Sequence, residues 1–296
     1  MTYSAIALDQ IPAPDVVEAL DFETILAEMR ADLVARAPEL AAVLALESEP
    51  LNKLLEVCAY RELILRARVN DAARAVMLAT ATGSDLDHLA ALLGVARLEV
   101  TPADPTASPP QPAIYEDDAA LRLRAQLSLE GLSTAGPRGS YEFHARSASA
   151  EIADVAVDSP TPGTVRVTVL ARSGDGTADQ PLLDRVNAAL TDERVRPLCD
   201  TVQVQSATIT PYQIDAQLTV APGPDAGVVR ARALDAVTAY TAAARRIGQP
   251  VTLSGLYAAL HREGVARVAL TSPAVEVAPG QTGVAHCTQI TVTVAQ

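Results

Sequence analysis

Four groups of residues in this chain have the types and spacing that chemistry needs. Ser133, Thr134 and Ser140 lie within eleven residues of His144, the raw material of a hydroxyl nucleophile with an imidazole base. Asp85, Asp87 and His88 could hold a divalent cation or trade protons. The run RSGDGT, ending at Thr177, is a glycine turn placed between a strand-like and a helix-like stretch, a setting in which backbone N–H groups can cradle phosphate. Cys58, Cys199 and Cys287 complete the inventory.

Each group also has a structural explanation. No G-x-S-x-G elbow surrounds Ser133 or Ser140, and hydroxyls beside a turn ordinarily cap helices. Asp85 and Asp87 sit in the first turn of GSDLDHLAALLG, with Ser84 as N-cap and Gly94 as the left-handed stop. No second histidine stands four residues from His88, as a helical metal pair requires. The glycine turn lacks the lysine of a P-loop and puts Asp175 where the anion would sit. The cysteines are too far apart for a zinc knuckle or a disulfide framework. The residues therefore assign no catalytic, cofactor-binding or metal-binding position, and no cofactor.

Composition narrows the partners. The formal charge of −13 disfavours nucleic acid and anionic membrane, and only 3% of residues are aromatic, which leaves little for stacking on bases. No basic leader precedes an apolar run, and no apolar stretch is long enough for a membrane span.

The elements that would position these groups follow from periodicity. Residues 1–20 read as an extended arm, broken by Pro12 and Pro14, with strand-like SAIAL. Asp21 caps a helix whose apolar side is Phe22, Ile25, Leu26, Met29 and Leu33. A longer helix starts at Pro50 and keeps a helical rhythm to about Leu78 through Leu54, Leu55, Cys58, Leu63, Leu65, Val69, Val76 and Met77. Its arginines and glutamates form a solvated, ion-paired face or a docking face. Five prolines make residues 101–113 a surface linker. A helix over 115–130, with Asp117 and Asp118 in its first turn, ends at Gly131.

One unit then occurs twice. SYEFHARSASAEIADVAVDSP and SGLYAALHREGVARVALTSP each run from a short helix into an alternating strand that stops at Ser-Pro. Aligning them sets Ile152, Val155 and Val157 opposite Val265, Val268 and Leu270. TVRVTVL should form a hairpin with the first strand, and QITVTV answers it near the C-terminus. Residues 202–209 and 213–220 read as a further strand pair parted by Thr210 and Pro211. The order of elements from residue 140 is helix, two strands, helix, two strands, helix, helix, strand, loop, strand. That order argues for an α+β fold, a helical N-terminal part followed by repeated helix–β-hairpin units. The expected divisions are an arm (1–20), a helical domain (21–100), a linker (101–113), a helix and hinge (114–139) and two α+β units (140–224 and 225–296).

Three segments, EGLSTAGPRGSYEFHARSA, GDGTADQPLLDRVNAALTDERVRPLCDTVQV and GSDLDHLAALLGVAR, together resemble the baseplate J-like proteins of contractile phage tails. The resemblance runs from about residue 20 to the C-terminus. It implies a structural, non-enzymatic protein of the virion tail baseplate, assembled in the host cytoplasm. Paired copies would close into a sixfold ring of wedges around the hub, joining sheath-side proteins to tail-fibre attachment proteins. A phage-derived injection machine (a tailocin) is an alternative setting, and a hydrolase using Ser133 or Ser140 with His144 is the enzymatic one. A small-ligand binder at residues 174–177 is a third. On the resemblance, residues 101–113 and 131–139 are hinge candidates, and the helices at 51–78 and 84–93 are candidate partner-facing rods.

Overall fold

A computed structural model describes residues 6–295, except Ala13, Asp15, Thr134 and Pro224. Helices and small sheets alternate, an α+β arrangement, and the chain divides into two compact units. One comprises Ser4–Ala96 with Asp117–Ala125, and the other Arg97–Glu116 with Gln126–Gln296.

The first unit is helical. Asp21 accepts the Glu23 N–H and starts Phe22–Arg36 (α1), as the sequence predicts. A 3-10 turn and the short Ala41–Leu44 (α2) lead to Pro50–Ala75 (α3), 26 residues long with proline at its first turn. Ile25 and Leu26 of α1 pack on Ala59, with Leu55 and Leu63 alongside. In the arm, Leu8–Gln10 form a 3-10 turn, and the Ser4 and Ala5 part of the expected strand lies outside the described residues. Glu18 is tied to α3 by Asn70, whose amide donates to the Glu18 carbonyl at 2.9 Å and accepts its N–H at 3.1 Å.

Gly83–Leu92 (α4) corrects the expected cap. Thr82, not Ser84, precedes the helix and makes no side-chain cap; the Gly83 N–H instead donates to Asp118 Oδ2 at 3.1 Å. A carboxylate from a distant segment meets the helix's positive end and takes over the task of a local hydroxyl. The far end matches expectation: Gly94 has φ +72°, and the Val95 and Gly94 N–H groups donate to Ala90 and Ala91 carbonyls. Arg122 donates to the carbonyls of Leu78 and Ala81, both at 2.7 Å, and so satisfies the loop before α4.

In the second unit the Pro-rich segment turns back on itself. Glu99–Thr101 (β1) pairs antiparallel with Ile114–Tyr115 (β2), Asp104 bridges to Gln111, and Asp104 Oδ1 accepts the N–H groups of Thr106 and Ala107. Tyr115 is thus a strand residue, and Asp118–Gly131 (α5) begins three residues later than the periodicity suggests, with Asp117 accepting the Ala120 N–H.

Arg138–Ala148 (α6) leads into Ile152–Asp158 (β3), which forms the expected hairpin with Thr164–Ala171 (β4). Asp179 caps Gln180–Thr191 (α7), and Thr201–Ser206 (β5) joins the far side of β4 in parallel, giving the order β3-β4-β5. The next strand, Thr208–Val220 (β6), does not pair with β5. It runs unbroken through Pro211, because pairing with Val265–Ser272 (β7) starts only at Asp215 and leaves β6 an edge strand at the proline. Ala226–Ala244 (α8), capped by Asp225, and Leu253–Leu260 (α9), capped by Thr252, precede β7. Gly283–Val294 (β8) then pairs in parallel with β6, giving the order β7-β6-β8.

The second hairpin is therefore absent. β7 follows its helix as β3 does, but β6 lies between β7 and β8. Both sheets nonetheless have one design: a central strand, an antiparallel edge strand that follows a helix, and a parallel edge strand. The chain visits helix plus edge strand first in one sheet and central strand plus helix first in the other. The aligned residues occupy matching places, with Ile152, Val155 and Val157 in one core and Val265, Val268 and Leu270 in the other. The seam between the sheets is a small cluster of Leu170, Ala207 and Val284 with Ile209 and Ile247.

Candidate functional site

His144 lies on α6, where its Nε2 is 3.2 Å from the Gly131 carbonyl oxygen and its ring meets Phe143 edge-on. Burial lowers its pKa below the ordinary 6.5, against the opposing pull of that carbonyl. Ser133 Oγ accepts the Ala135 N–H within the loop between α5 and α6 rather than capping a helix, and Ser140 is buried near the start of α6. Among the described residues no hydrogen bond joins His144 to either serine, and Thr134 lies outside them. His144 does line a shallow cleft of about 420 Å3 with Ser147, Ala148, Ala189, Asp192, Arg194 and Val195. Its charged residues are spent on each other: Asp192 accepts from the Arg194 guanidinium at 2.9 and 3.0 Å. That fork holds the Asp192 carboxyl well below the usual range. Among the described residues the His144 ring is thus hydrogen-bonded to a backbone carbonyl and the charged pair of the cleft is neutralised internally.

The glycine turn is equally self-contained. Asp175 Oδ1 accepts the Thr177 N–H at 2.9 Å, the Gly176 N–H donates to the Ser173 carbonyl, and Arg245 donates to the Gly174 carbonyl. Its own carboxylate fills the place of an anion. Among the described residues no group of three His, Cys, Asp or Glu side chains is arranged to hold a metal, Asp85, Asp87 and His88 included. Cys58 and Cys199 are exposed free thiols, and burial raises the pKa of Cys287. No helix among the described residues is long and apolar enough to cross a membrane.

What the helices expose is more telling. On α3 the buried positions are Asn52, Ala59 and Asn70, whereas Leu54, Val57, Ile64, Leu65 and Val69 stand 42–66% exposed. The apolar rhythm thus covers two faces, and the second stands exposed among the described residues. A helical wheel that separated Leu55, Ala59 and Leu63 from Leu54, Ile64 and Leu65 would have shown it. Exposed apolar faces of this extent, here on a helix 26 residues long, are a common feature of protein-contact surfaces.

Comparison with known proteins agrees with a scaffold. The Baseplate J-like N-terminal domain matches residues 47–104, the central domain residues 133–206, and the Baseplate J-like protein C-terminal domain residues 212–293. The chain belongs to the Baseplate J-like family. Baseplate protein J of Escherichia phage P2 is 51% identical over 289 residues, covering 96% of each chain. The family's N-terminal match contains α3 and α4, its central match the sheet β3-β4-β5, and its C-terminal match most of β6 with β7 and β8.

Proposed function

We propose that this chain is a structural component of a contractile phage tail baseplate. The observation that carries the reading is the 51% identity to the P2 baseplate protein across 96% of both chains. The family and this relative support a structural, non-enzymatic role. In this reading the chain forms wedges around the central hub, paired copies close into a sixfold ring, and the ring connects sheath-side proteins to tail-fibre attachment proteins. Neither nucleic acid nor membrane is a partner. The chain assembles in the host cytoplasm and ends in the virion. A ring that holds an extended tail and later changes shape needs rigid pieces joined by pivots. Residues 101–113 and 131–139 serve as those pivots, between the helical part (21–100) and the two α+β units (140–224 and 225–296).

The test is electron microscopy of purified particles with the chain tagged. Label at the baseplate is the expected result. A chain that stays wholly in the soluble pool and never enters tails overturns the proposal. The same images separate an infectious virion from a tailocin by the presence of a filled head.

A further inference from the structure

We infer that the N-terminal arm of one copy covers the outer face of α3 on a second copy, reciprocally, so that the two form a dimer. The inference rests on the pairing of copies in the proposed function and adds the surfaces that meet. Among the described residues, two apolar surfaces of the helical unit stand exposed. One is the α3 face of Leu54, Val57, Ile64, Leu65 and Val69. The other is the arm, where Ile6 is 70% exposed, Ile11 50% and Val16 54%. The described part of the arm of the same chain does not cover that face. Asn70 pins Glu18 from the buried side of α3, and both surfaces remain open together.

Charge selects the arm as the occupant. Arg61 and Arg68 stand exposed on the outer face of α3 and are in no ion pair among the described residues, whereas Lys53, Arg66 and Arg74 each have an acidic partner. Residues 6–17 carry Asp9 and Asp15 and no basic residue. An apolar strap with two carboxylates thus matches an apolar face with two free guanidiniums. Packing two α3 faces on each other would instead bring four unpaired guanidiniums together, which costs free energy. Exchange of an identical arm between two copies is a closed, twofold arrangement.

Cys58 is exposed on the same helix and provides the probe. The full chain carrying Cys199→Ser and Ile11→Cys is oxidised gently, run without reductant, and the bridge located by peptide mapping. A dimer joined through positions 11 and 58, abolished by adding Ile64→Asp while far-ultraviolet circular dichroism stays unchanged, is the expected outcome. The unmodified chain should also run as a dimer by light scattering and become a monomer when residues 1–17 are removed. A bridge within one chain, a dimer that forms between two Cys58 thiols without the Ile11 substitution, or a chain that is monomeric throughout would each overturn it. None of these results touches the baseplate assignment, which stands or falls on where the chain is found in particles.

Discussion

Asp154 on β3 and the backbone of Ile247 after α8 are 93 residues apart and joined by one hydrogen bond, Ile247 N–H to Asp154 Oδ2 at 2.9 Å. The other carboxylate oxygen holds the guanidinium of Arg146, which also reaches Glu142 on its own helix. A single carboxylate thereby ties α6, β3 and the seam between the two sheets. Asp154→Ala should leave a mostly buried guanidinium short of one partner and a backbone N–H without any, at a cost of about 2–4 kcal/mol. Asp154→Asn keeps an acceptor for Ile247 and should lose less. Urea denaturation of both variants checks the order.

Gly136 is the position where the 131–139 segment is most tightly specified. Its φ is +67°, and a Cβ there would lie 2.5 Å from Pro197 Cγ. Gly136→Ala combines a left-handed backbone with a clash and should cost about 1–3 kcal/mol. If the segment is a pivot, hydrogen exchange around residues 131–139 should rise in this variant more than exchange in β4. Equal protection of the segment and the core in the unaltered chain would remove the pivot from the proposal.

Local signals in the sequence were strong where one residue settles an outcome. Asp21, Asp179 and Asp225 cap their helices, Gly94 stops α4, and the order of elements from α6 to β8 is the expected one. Pairing was less legible, because alternation marks a strand but not its neighbour. QITVTV copies TVRVTV in pattern, yet β4 lies beside the strand that precedes it and β8 does not, since β6 takes the central place between β7 and β8. Long-range caps were illegible for the same reason: nothing beside Gly83 announces Asp118. At the candidate site, the closeness of Ser133 and Ser140 to His144 in sequence carried no geometry, because the ring turns to the Gly131 carbonyl.

Asn70 predicts a separable defect. Its amide makes two hydrogen bonds to the Glu18 backbone, and the residue is 3% exposed. Asn70→Ala should cost about 1–3 kcal/mol and free the arm, since both the Glu18 N–H and its carbonyl lose their partner. Limited proteolysis should cut before residue 20 several-fold faster while α1 and α3 stay protected. Asn70→Asp retains the acceptor and loses the donor, so it should fall between.

His144 sets the sign of one pH effect. Its pKa in the folded chain is lowered from 6.5 by burial, so the folded state resists protonation that the unfolded chain accepts. Above pH 6.5 both states hold the ring neutral and the full stability is present. As pH falls from 6.5 through the lower folded value, the unfolded state binds more protons and stability drops, by about 1.4 kcal/mol for each unit of separation between the two pKa values. His144→Gln keeps a donor toward the Gly131 carbonyl and cannot titrate. Thermal unfolding between pH 5 and 7.5 should show a slope in the unaltered chain that is shallower in His144→Gln, and parallel curves would show that the ring does not contribute.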